Sequence, residues 1–193
     1  ERVDCSPGNV PAAALAQCQA RNITAANFFT NAVNTRTDGI ELTATYATEL
    51  ADGELTLDLG WAHADTDIRS VNDPAVAGVV LLGVEERNTI ESAAPSDRVT
   101  LSSRWQGDRL SLLGRVTYQG ETTRVFNFGG GFEPEQTYGG EFQLDVEVGY
   151  RVWEGIELFV GASNLLDEYP DASIPDISYF GNLPYDVLPP IGF

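Results

Sequence analysis

Alternation of apolar and polar residues, over about ten positions at a time, is the feature that most limits how this chain can fold. In residues 141–152, apolar side chains occupy every even position from Phe142 to Val152, and polar or small residues occupy the odd positions. Because side chains of a β-strand point alternately to opposite faces, one face of this segment is apolar and the other is charged. A tilted strand of about 9–11 residues crosses the hydrocarbon core of a bilayer. The segment therefore predicts a transmembrane strand between lipid and a wet lumen.

The same alternation recurs in six segments between residues 33 and 166. The first two segments are joined at Asp52-Gly53, and Asp-Gly is a strong signal for a tight hairpin turn. Longer connections lie at about 65–95 and 122–138. Outer-membrane barrels have short periplasmic turns and long extracellular loops. The sequence thus predicts an all-β fold: an antiparallel up-and-down transmembrane β-barrel segment of about six strands, with both long connections extracellular.

Both ends of the chain are expected to be loops. Residues 1–32 are predicted to form an extracellular loop with a short helix after Pro11, because proline is favourable at the first helical position. Residues 167–193 are rich in Pro and Gly and are predicted to form a third extracellular loop that leads to a missing last strand. Since the sequence has no Met and no signal peptide at Glu1, we expect it to be an internal piece of a longer product.

Aromatic residues on the apolar face favour a membrane setting. Tyr46, Trp105 and Tyr150 fall at one end of their predicted strands, and Trp61 and Tyr118 fall towards the other end. Transmembrane barrels carry such aromatic girdles at both interfaces. A soluble β-sandwich has no reason to place aromatic residues at both rims of its outer face.

Composition excludes several classes of function. The net charge is −18, and the 11 basic residues form no evident patch, so nucleic-acid binding, which needs clustered Lys and Arg, is excluded. No apolar run of about 18 residues predicts a transmembrane helix. His63 is the only histidine, there is no GxSxG motif, and Gly129-Gly130-Gly131 lacks the Lys-Ser/Thr of a phosphate-binding loop. No catalytic residue, metal site or cofactor is predicted, and the chain is not expected to be an enzyme.

Two cysteines, Cys5 and Cys18, lie close together near the start of the chain. Their spacing matches neither a zinc motif nor a CxxC motif. A disulfide across a loop of this size contributes about 3 kcal/mol in an oxidising compartment. The alternative is two free thiols.

Three segments carry a resemblance to a known family. They are residues 28–42 (FFTNAVNTRTDGIEL), 145–150 (DVEVGY) and 161–170 (GASNLLDEYP). These resemble the loop-to-strand transition, the penultimate descending strand and the "N-L-hydrophobic-D" signature in the C-terminal part of TonB-dependent outer-membrane receptors. The resemblance covers about residues 25–193. Within the signature, Asn164 and Asp167 are expected to bond nearby backbone where the strand ends.

The resemblance implies the C-terminal part of a 22-stranded barrel that lacks its plug domain and its last strand. It implies active uptake of a scarce ligand, such as a ferric siderophore, cobalamin or a glycan, across the outer membrane of a Gram-negative bacterium. The implied partners are outer-membrane lipid, the plug domain of the same protein, a small-molecule ligand, and the TonB complex, which would act through the missing N-terminal part.

Two groups of residues are candidates for function. The first group is charged and faces the predicted lumen, where it would either contact the plug or remain solvated; opposite charges could pair across strands. Its members are Asp58, Arg98, Arg104, Arg115, Asp145, Glu147, Arg151 and Glu157. The second group is aromatic and lies in a long loop, where it would either stack on a flat ligand or pack on itself. Its members are Phe126, Phe128, Phe132 and Tyr138.

Two other classes of protein compete with this interpretation. A soluble secreted β-sandwich or lectin-like binding module also has alternating strands. An outer-membrane enzyme or adhesin would need a converged cluster of functional residues, and the sequence offers none.

Overall fold

A computed structural model describes residues 2–5, 7, 10–27, 31–72, 81–178, 181–182 and 184–185. The described residues form ten strands and two helices. These are β1 (Arg2–Asp4), α1 (Ala12–Ala20), β2 (Ala25–Asn27), β3 (Val33–Leu50), β4 (Gly53–Val71), α2 (Val84–Glu91), β5 (Asp97–Gln106), β6 (Leu110–Gln119), β7 (Thr122–Val125), β8 (Glu135–Tyr138), β9 (Glu141–Trp153) and β10 (Ile156–Ala162). Neither helix is long and apolar enough to cross a bilayer.

The main sheet has six antiparallel strands in the order β3-β4-β5-β6-β9-β10. Neighbours in the sheet follow one another along the chain, except that the hairpin β7–β8 lies between β6 and β9 in the sequence and forms a sheet of its own. At the tight turn between β3 and β4, Ala51 and Asp52 have φ angles of 53° and 58°, the left-handed conformation that a type I′ hairpin turn needs. The predicted all-β, antiparallel, up-and-down segment of six strands is confirmed.

One face of the main sheet is apolar and exposed. Across five neighbouring strands the register aligns Ala44, Leu59, Leu101, Val116 and Leu144 in one row. Leu101 is 46% exposed, and Val160 in the edge strand β10 is 76% exposed. None of the buried apolar residues in the described part of the chain belongs to the main sheet. A sandwich would bury this face beneath a second sheet, whereas a barrel wall leaves it for lipid.

Aromatic side chains lie towards both ends of the apolar face. Trp61, Tyr118 and Phe142 share one row of the register with Val99, at the end that carries the long loops. The rings of Tyr118 and Phe142 are 4.6 Å apart. Near the tight-turn end, Trp105 donates its indole N–H to the carbonyl of Leu50 at 2.8 Å. Aromatic rows therefore flank an aliphatic middle, as the sequence predicts.

The segment predicted as a loop at 65–95 contains regular structure. β4 continues to Val71, because Val33–Gly39 of β3 go on pairing with it beyond the reach of β5. The extension is polar, so apolar periodicity does not detect it; the hydroxyls of Thr37 and Thr66, for example, are 2.8 Å apart. After residues 73–80, which lie outside the described residues, the chain forms α2.

The N-terminal residues form a small unit of their own. β1 pairs with β2, and α1 occupies the segment that the sequence favours as a short helix. Cys5 and Cys18 are joined by a disulfide bond, which ties α1 to the end of β1. The N–H of Cys5 also donates to the carbonyl of Thr24 at 2.8 Å. Part of the resembling segment 28–42, residues 28–30, lies outside the described residues.

Candidate functional site

The long-loop end of the sheet carries the only substantial core among the described residues. We call this region the loop cap; it comprises residues 82–93, 120–140 and 163–178. The buried apolar residues of the described chain all lie in it: Leu82, Ala93, Val125, Tyr138 and Ile177. The segment predicted as a loop at 122–138 is the β7–β8 hairpin, and the cap assembles around it.

Asn88 of α2 joins the helix to one edge of the hairpin. Its side-chain Nδ2 donates to the carbonyl of Thr123 at 2.7 Å, and its Oδ1 accepts from the N–H of Val125 at 2.9 Å. The carbonyl of Ser92, just after the helix, accepts from the N–H of Thr123 at 2.9 Å. The buried amide of Asn88 bonds the backbone of β7 as a neighbouring strand would, and this fixes the position of α2 relative to β7.

Gln136 of β8 performs the same task at the other edge. Its Nε2 donates to the carbonyl of Ala172 at 2.9 Å, and its Oε1 accepts from the N–H of Ile174 at 2.7 Å. Next to it, the hydroxyl oxygens of Tyr138 and Ser173 are 2.8 Å apart. The third loop is thereby attached to β8, and the hairpin becomes the centre of a three-part cap.

Loss of the Asn88 amide is expected to loosen the cap. In Asn88→Ala, the N–H of Val125 and the carbonyl of Thr123 lose their partners in a buried setting, a cost of about 1–3 kcal/mol. We expect the Val125 amide to exchange hydrogen at least about 10-fold faster, measured by hydrogen–deuterium exchange with mass spectrometry. Arg87→Ala, an exposed change on the same helix, is the matched control. Equal exchange in both variants would contradict this role.

A row of stacked rings extends along one face of the hairpin to its tip. The ring centroids of Phe126 and Phe128 are 6.1 Å apart with nearly parallel planes, and those of Phe128 and Phe132 are 5.9 Å apart. At the inner end, the guanidinium of Arg124 lies over the Phe126 ring, 5.5 Å from its centroid. We call these three phenylalanines the aromatic ladder. Phe128 is 42% exposed and Phe132 is 50% exposed, so the outer rings are open to a ligand.

The hairpin tip is shaped by three glycines. Gly129, Gly130 and Gly131 have φ angles of 82°, 66° and 82°, which other residues adopt only with strain. This turn brings Phe132 back beside Phe128, whose N–H donates to the carbonyl of Phe132 at 3.1 Å. The carboxylate of Glu85 in α2 accepts the N–H of Asn127 at 3.0 Å, so the helix also steadies the base of the tip.

The predicted loop aromatics therefore separate into two roles. Phe126, Phe128 and Phe132 come together as the ladder. Because these rings stack on one another, the alternative that the loop aromatics pack on themselves holds for them in part. Tyr138 does not join them, because it is only 2% exposed in the cap core. A second exposed stack lies in the third loop, where the rings of Tyr169 and Tyr185 are 6.0 Å apart. A hydrogen bond to Asp167 raises the pKa of the Tyr169 hydroxyl.

All eight charged residues predicted to face the lumen lie on the polar face of the main sheet. The register aligns Asp58, Ser102, Arg115 and Asp145 in one row across four strands, and it places Arg151 opposite Glu157. Arg98, Arg104 and Glu147 lie on the same face in other rows of the register. The face therefore carries charges of both signs within one strand spacing of each other.

These opposite charges are neighbours that do not form ion pairs. Among the described residues, no ion pair within 4.0 Å joins two of the eight. Asp58 instead accepts a hydrogen bond from Thr45 at 2.7 Å, and Arg151 donates to the carbonyl of Asp108 at 3.0 Å. The cross-strand ion pairs that the sequence allows are therefore not formed among these eight residues, and Asp58 and Arg151 take local hydroxyl and backbone partners instead.

Asp145 has a structural task at the end of β10. Its Oδ1 accepts from the Ser163 hydroxyl and from the Asn164 N–H, both at 3.0 Å. Asn164, at a φ of 50°, bonds both the N–H and the carbonyl of Glu168 through its side chain. The signature at 161–170 is thus a turn fastened to the neighbouring strand, with Asn164 bonding nearby backbone as predicted.

Sequence reasoning missed the two residues that assemble the cap. Asn88 sits in a short, polar helix, and Gln136 sits in a four-residue strand, so neither belongs to a motif or a periodic pattern. Both side chains bond backbone groups that lie more than 30 residues away in the sequence. No local sequence pattern predicts such a contact. In the part of the chain that the structure describes, no cluster of three or more His, Cys, Asp or Glu side chains could hold a metal ion.

Residues 3–165 match the family model described as "TonB dependent receptor-like, beta-barrel". Among curated proteins, none matches the chain detectably.

Proposed function

The chain belongs to the TonB-dependent receptor-like β-barrel family, and from this premise we propose that it forms part of a receptor that actively imports a scarce small ligand. The family consists of outer-membrane receptors and transporters, so the chain is part of a barrel wall of that class. The ligand classes that we propose are a ferric siderophore, cobalamin or a glycan. Energy would be relayed by TonB, and the membrane would be the outer membrane of a Gram-negative bacterium.

The observation that carries this proposal is the two-faced sheet. Its apolar face has exposed large side chains in β3, β5, β6, β9 and β10, and its polar face carries the eight charged residues. An open sheet edge in lipid leaves backbone groups unpaired, at a cost of several kcal/mol for each group. In the described residues, β3 and β10 are edge strands of the sheet. We propose that further strands of a larger barrel pair with both edges.

We propose the aromatic ladder as the ligand contact. It lies on the predicted extracellular side, its two outer rings are half-exposed, and the hairpin that bears it is fixed by α2 on one side and by the third loop on the other. A binding surface on a braced hairpin loses little conformational entropy when a ligand binds. Tyr138 is not part of this proposal, because its ring is buried.

We propose the polar face as the contact with a plug domain. A polar wall bearing charges without ion-pair partners is suited to meet complementary groups on a domain inside the lumen. The alternative is a solvated lumen. Labelling of Glu147→Cys with an aqueous maleimide separates the two: plug contact predicts protection in the full-length protein and reaction after plug deletion, whereas equal reaction in both would contradict it.

Uptake by cells tests the transport proposal. Cells that produce the full-length protein are given labelled ferric chelates, cobalamin or oligosaccharides, with and without a functional TonB. We expect one ligand to accumulate only when TonB is present. Uptake that persists unchanged without TonB would contradict active transport.

Ring removal tests the role of the ladder. In Phe128→Leu/Phe132→Leu, two stacking surfaces are lost while apolar character is kept, and affinity for the imported ligand should fall about 10-fold. Phe142→Leu, which makes the same change on the apolar face of the sheet, is the matched control. Equal affinity in the double variant and the control would contradict a ligand contact at the ladder.

A further inference from the structure

The charge around the aromatic ladder selects among ligands. We infer that the ladder takes a positively charged small molecule with a flat apolar part, and that it disfavours anionic chelates. This inference rests on the proposed function of the ladder as the ligand contact, and it narrows the ligand classes named there by their charge.

The protein already places a cation against the ladder. The guanidinium of Arg124 lies over the face of Phe126, which is the inner ring of the stack. Ring faces carry the negative side of the aromatic quadrupole, and they attract cations positioned within about 6 Å of the centroid. An aromatic ring is also available to cations from solvent at the outer end of the ladder, where half of Phe132 is exposed.

The exposed charges of the loop cap are mostly acidic, and Arg87 of α2 is the one exposed basic residue in it. Glu121, just before the hairpin, and Glu133 and Glu135 within it are exposed. Arg124, the only basic residue of the hairpin, is buried. Residues 163–178 of the third loop add four acidic residues and contain neither Lys nor Arg. Glu135 lies on the face of the hairpin opposite to Arg124, so its carboxylate acts through its field and not through contact. Such a field raises the local concentration of cations and repels anions.

Three features of the cap thus point to one chemistry. Stacked rings provide a flat apolar platform, the guanidinium of Arg124 lies over the face of one of them, and the exposed charged residues in 120–140 and 163–178 are all acidic. A polyanionic ligand would need clustered basic side chains to offset its charge. The exposed surface of residues 120–140 and 163–178 carries no such group.

Three naphthalene probes of equal size test the inference. They carry a trimethylammonium, a hydroxymethyl or a sulfonate group, and each is titrated against the full-length protein in phosphatidylcholine nanodiscs, with empty nanodiscs subtracted. We expect the ammonium probe to bind at least about 10-fold more tightly than the sulfonate at low ionic strength, and the ratio to shrink in high salt. Phe128→Ala/Phe132→Ala should weaken ammonium binding by about 2- to 5-fold per ring.

Charge-neutral variants locate the origin of the preference. Glu133→Gln/Glu135→Gln should reduce the ammonium-to-sulfonate ratio by about 3-fold. Glu49→Gln/Glu54→Gln removes the same charge at the tight-turn end of the sheet, and it should leave the ratio unchanged.

The outcomes separate this inference from the proposed function. Binding that depends on Phe128 and Phe132 but shows no preference for the ammonium, or prefers the sulfonate, would overturn the inference and leave the ladder as a ligand site. Equal ratios in the two Glu→Gln variants would overturn the charge assignment in the same way. Binding of all probes that is insensitive to both phenylalanines would overturn the ladder as a ligand contact, and the inference with it.

Discussion

Leu101→Arg is expected to destabilise the protein by about 2–4 kcal/mol in a bilayer, the cost of an arginine at the middle of the lipid face of a barrel. Leu101 lies in the centre of β5 on the apolar face, with Leu59 and Val116 beside it on the neighbouring strands. In this setting the guanidinium would have to be desolvated in hydrocarbon or deform the bilayer. Urea unfolding of the full-length protein in phosphocholine vesicles measures the change.

Thr100→Arg provides the matched control for Leu101→Arg. It introduces the same side chain one residue away, on the polar face, where Gly60 lies opposite and leaves open space. We expect a loss below about 1 kcal/mol, because a lumen-facing arginine remains in water. Equal losses for the two variants would show that the faces do not differ in environment, contrary to a barrel wall.

Removal of the disulfide should destabilise the N-terminal unit by about 3 kcal/mol, the value expected for a loop of this length. The change is Cys5→Ser/Cys18→Ser. Helix α1 has no buried residue to anchor it, so the cross-link is its main tie to β1. The N–H of residue 5 donates to the carbonyl of Thr24, and the N–H of Ile23 donates to the carbonyl of residue 18. If these amides exchange through opening of the N-terminal unit, their exchange should accelerate about 100-fold.

Exchange in the main sheet serves as the internal control for the disulfide. Amides of β5 and β6 should be unaffected, since β1 and β2 form a two-stranded sheet separate from the main sheet in the described residues. Treatment of the unmodified protein with a reductant should reproduce the effect of the substitutions. Unchanged exchange at residues 5 and 23 in the double variant would contradict a stabilising role for the bond.

Sequence periodicity was sufficient to predict the main sheet for a physical reason. Each strand contacts two different media, and a period of two in the sequence records that difference directly. The segment 141–152 shows it most clearly, and β9 spans Glu141–Trp153. Turn chemistry at Asp52-Gly53 then determines where the first hairpin reverses.

The loop cap could not be predicted in the same way. β7 and β8 have four residues each, and α2 has eight, so none is long enough for a period to stand out. Their arrangement depends on single side-chain amides, Asn88 and Gln136, which bond distant backbone. The ladder residues were found because clustered aromatic residues in a loop are conspicuous, but their stacking order depends on the turn at 129–131.

Charge pairing on the polar face shows another limit of sequence reasoning. Alternation places Arg115 and Asp145 on the same face, and the register makes them direct neighbours. The carboxylate of Asp145 nevertheless accepts hydrogen bonds from Ser163 and Asn164 just after β10. Which partner a charged group takes depends on local geometry that periodicity does not contain.

Spin-label accessibility along β9 tests most directly whether one face of this sheet meets lipid and the other meets water. Nitroxides are attached one at a time at positions 142–150 of the full-length protein in bilayers; Cys5 and Cys18 are bonded to each other and do not take the label. We predict that collisions with oxygen, which concentrates in lipid, peak at even positions, and that collisions with a water-soluble nickel chelate peak at odd positions. Equal accessibility at odd and even positions would contradict the account.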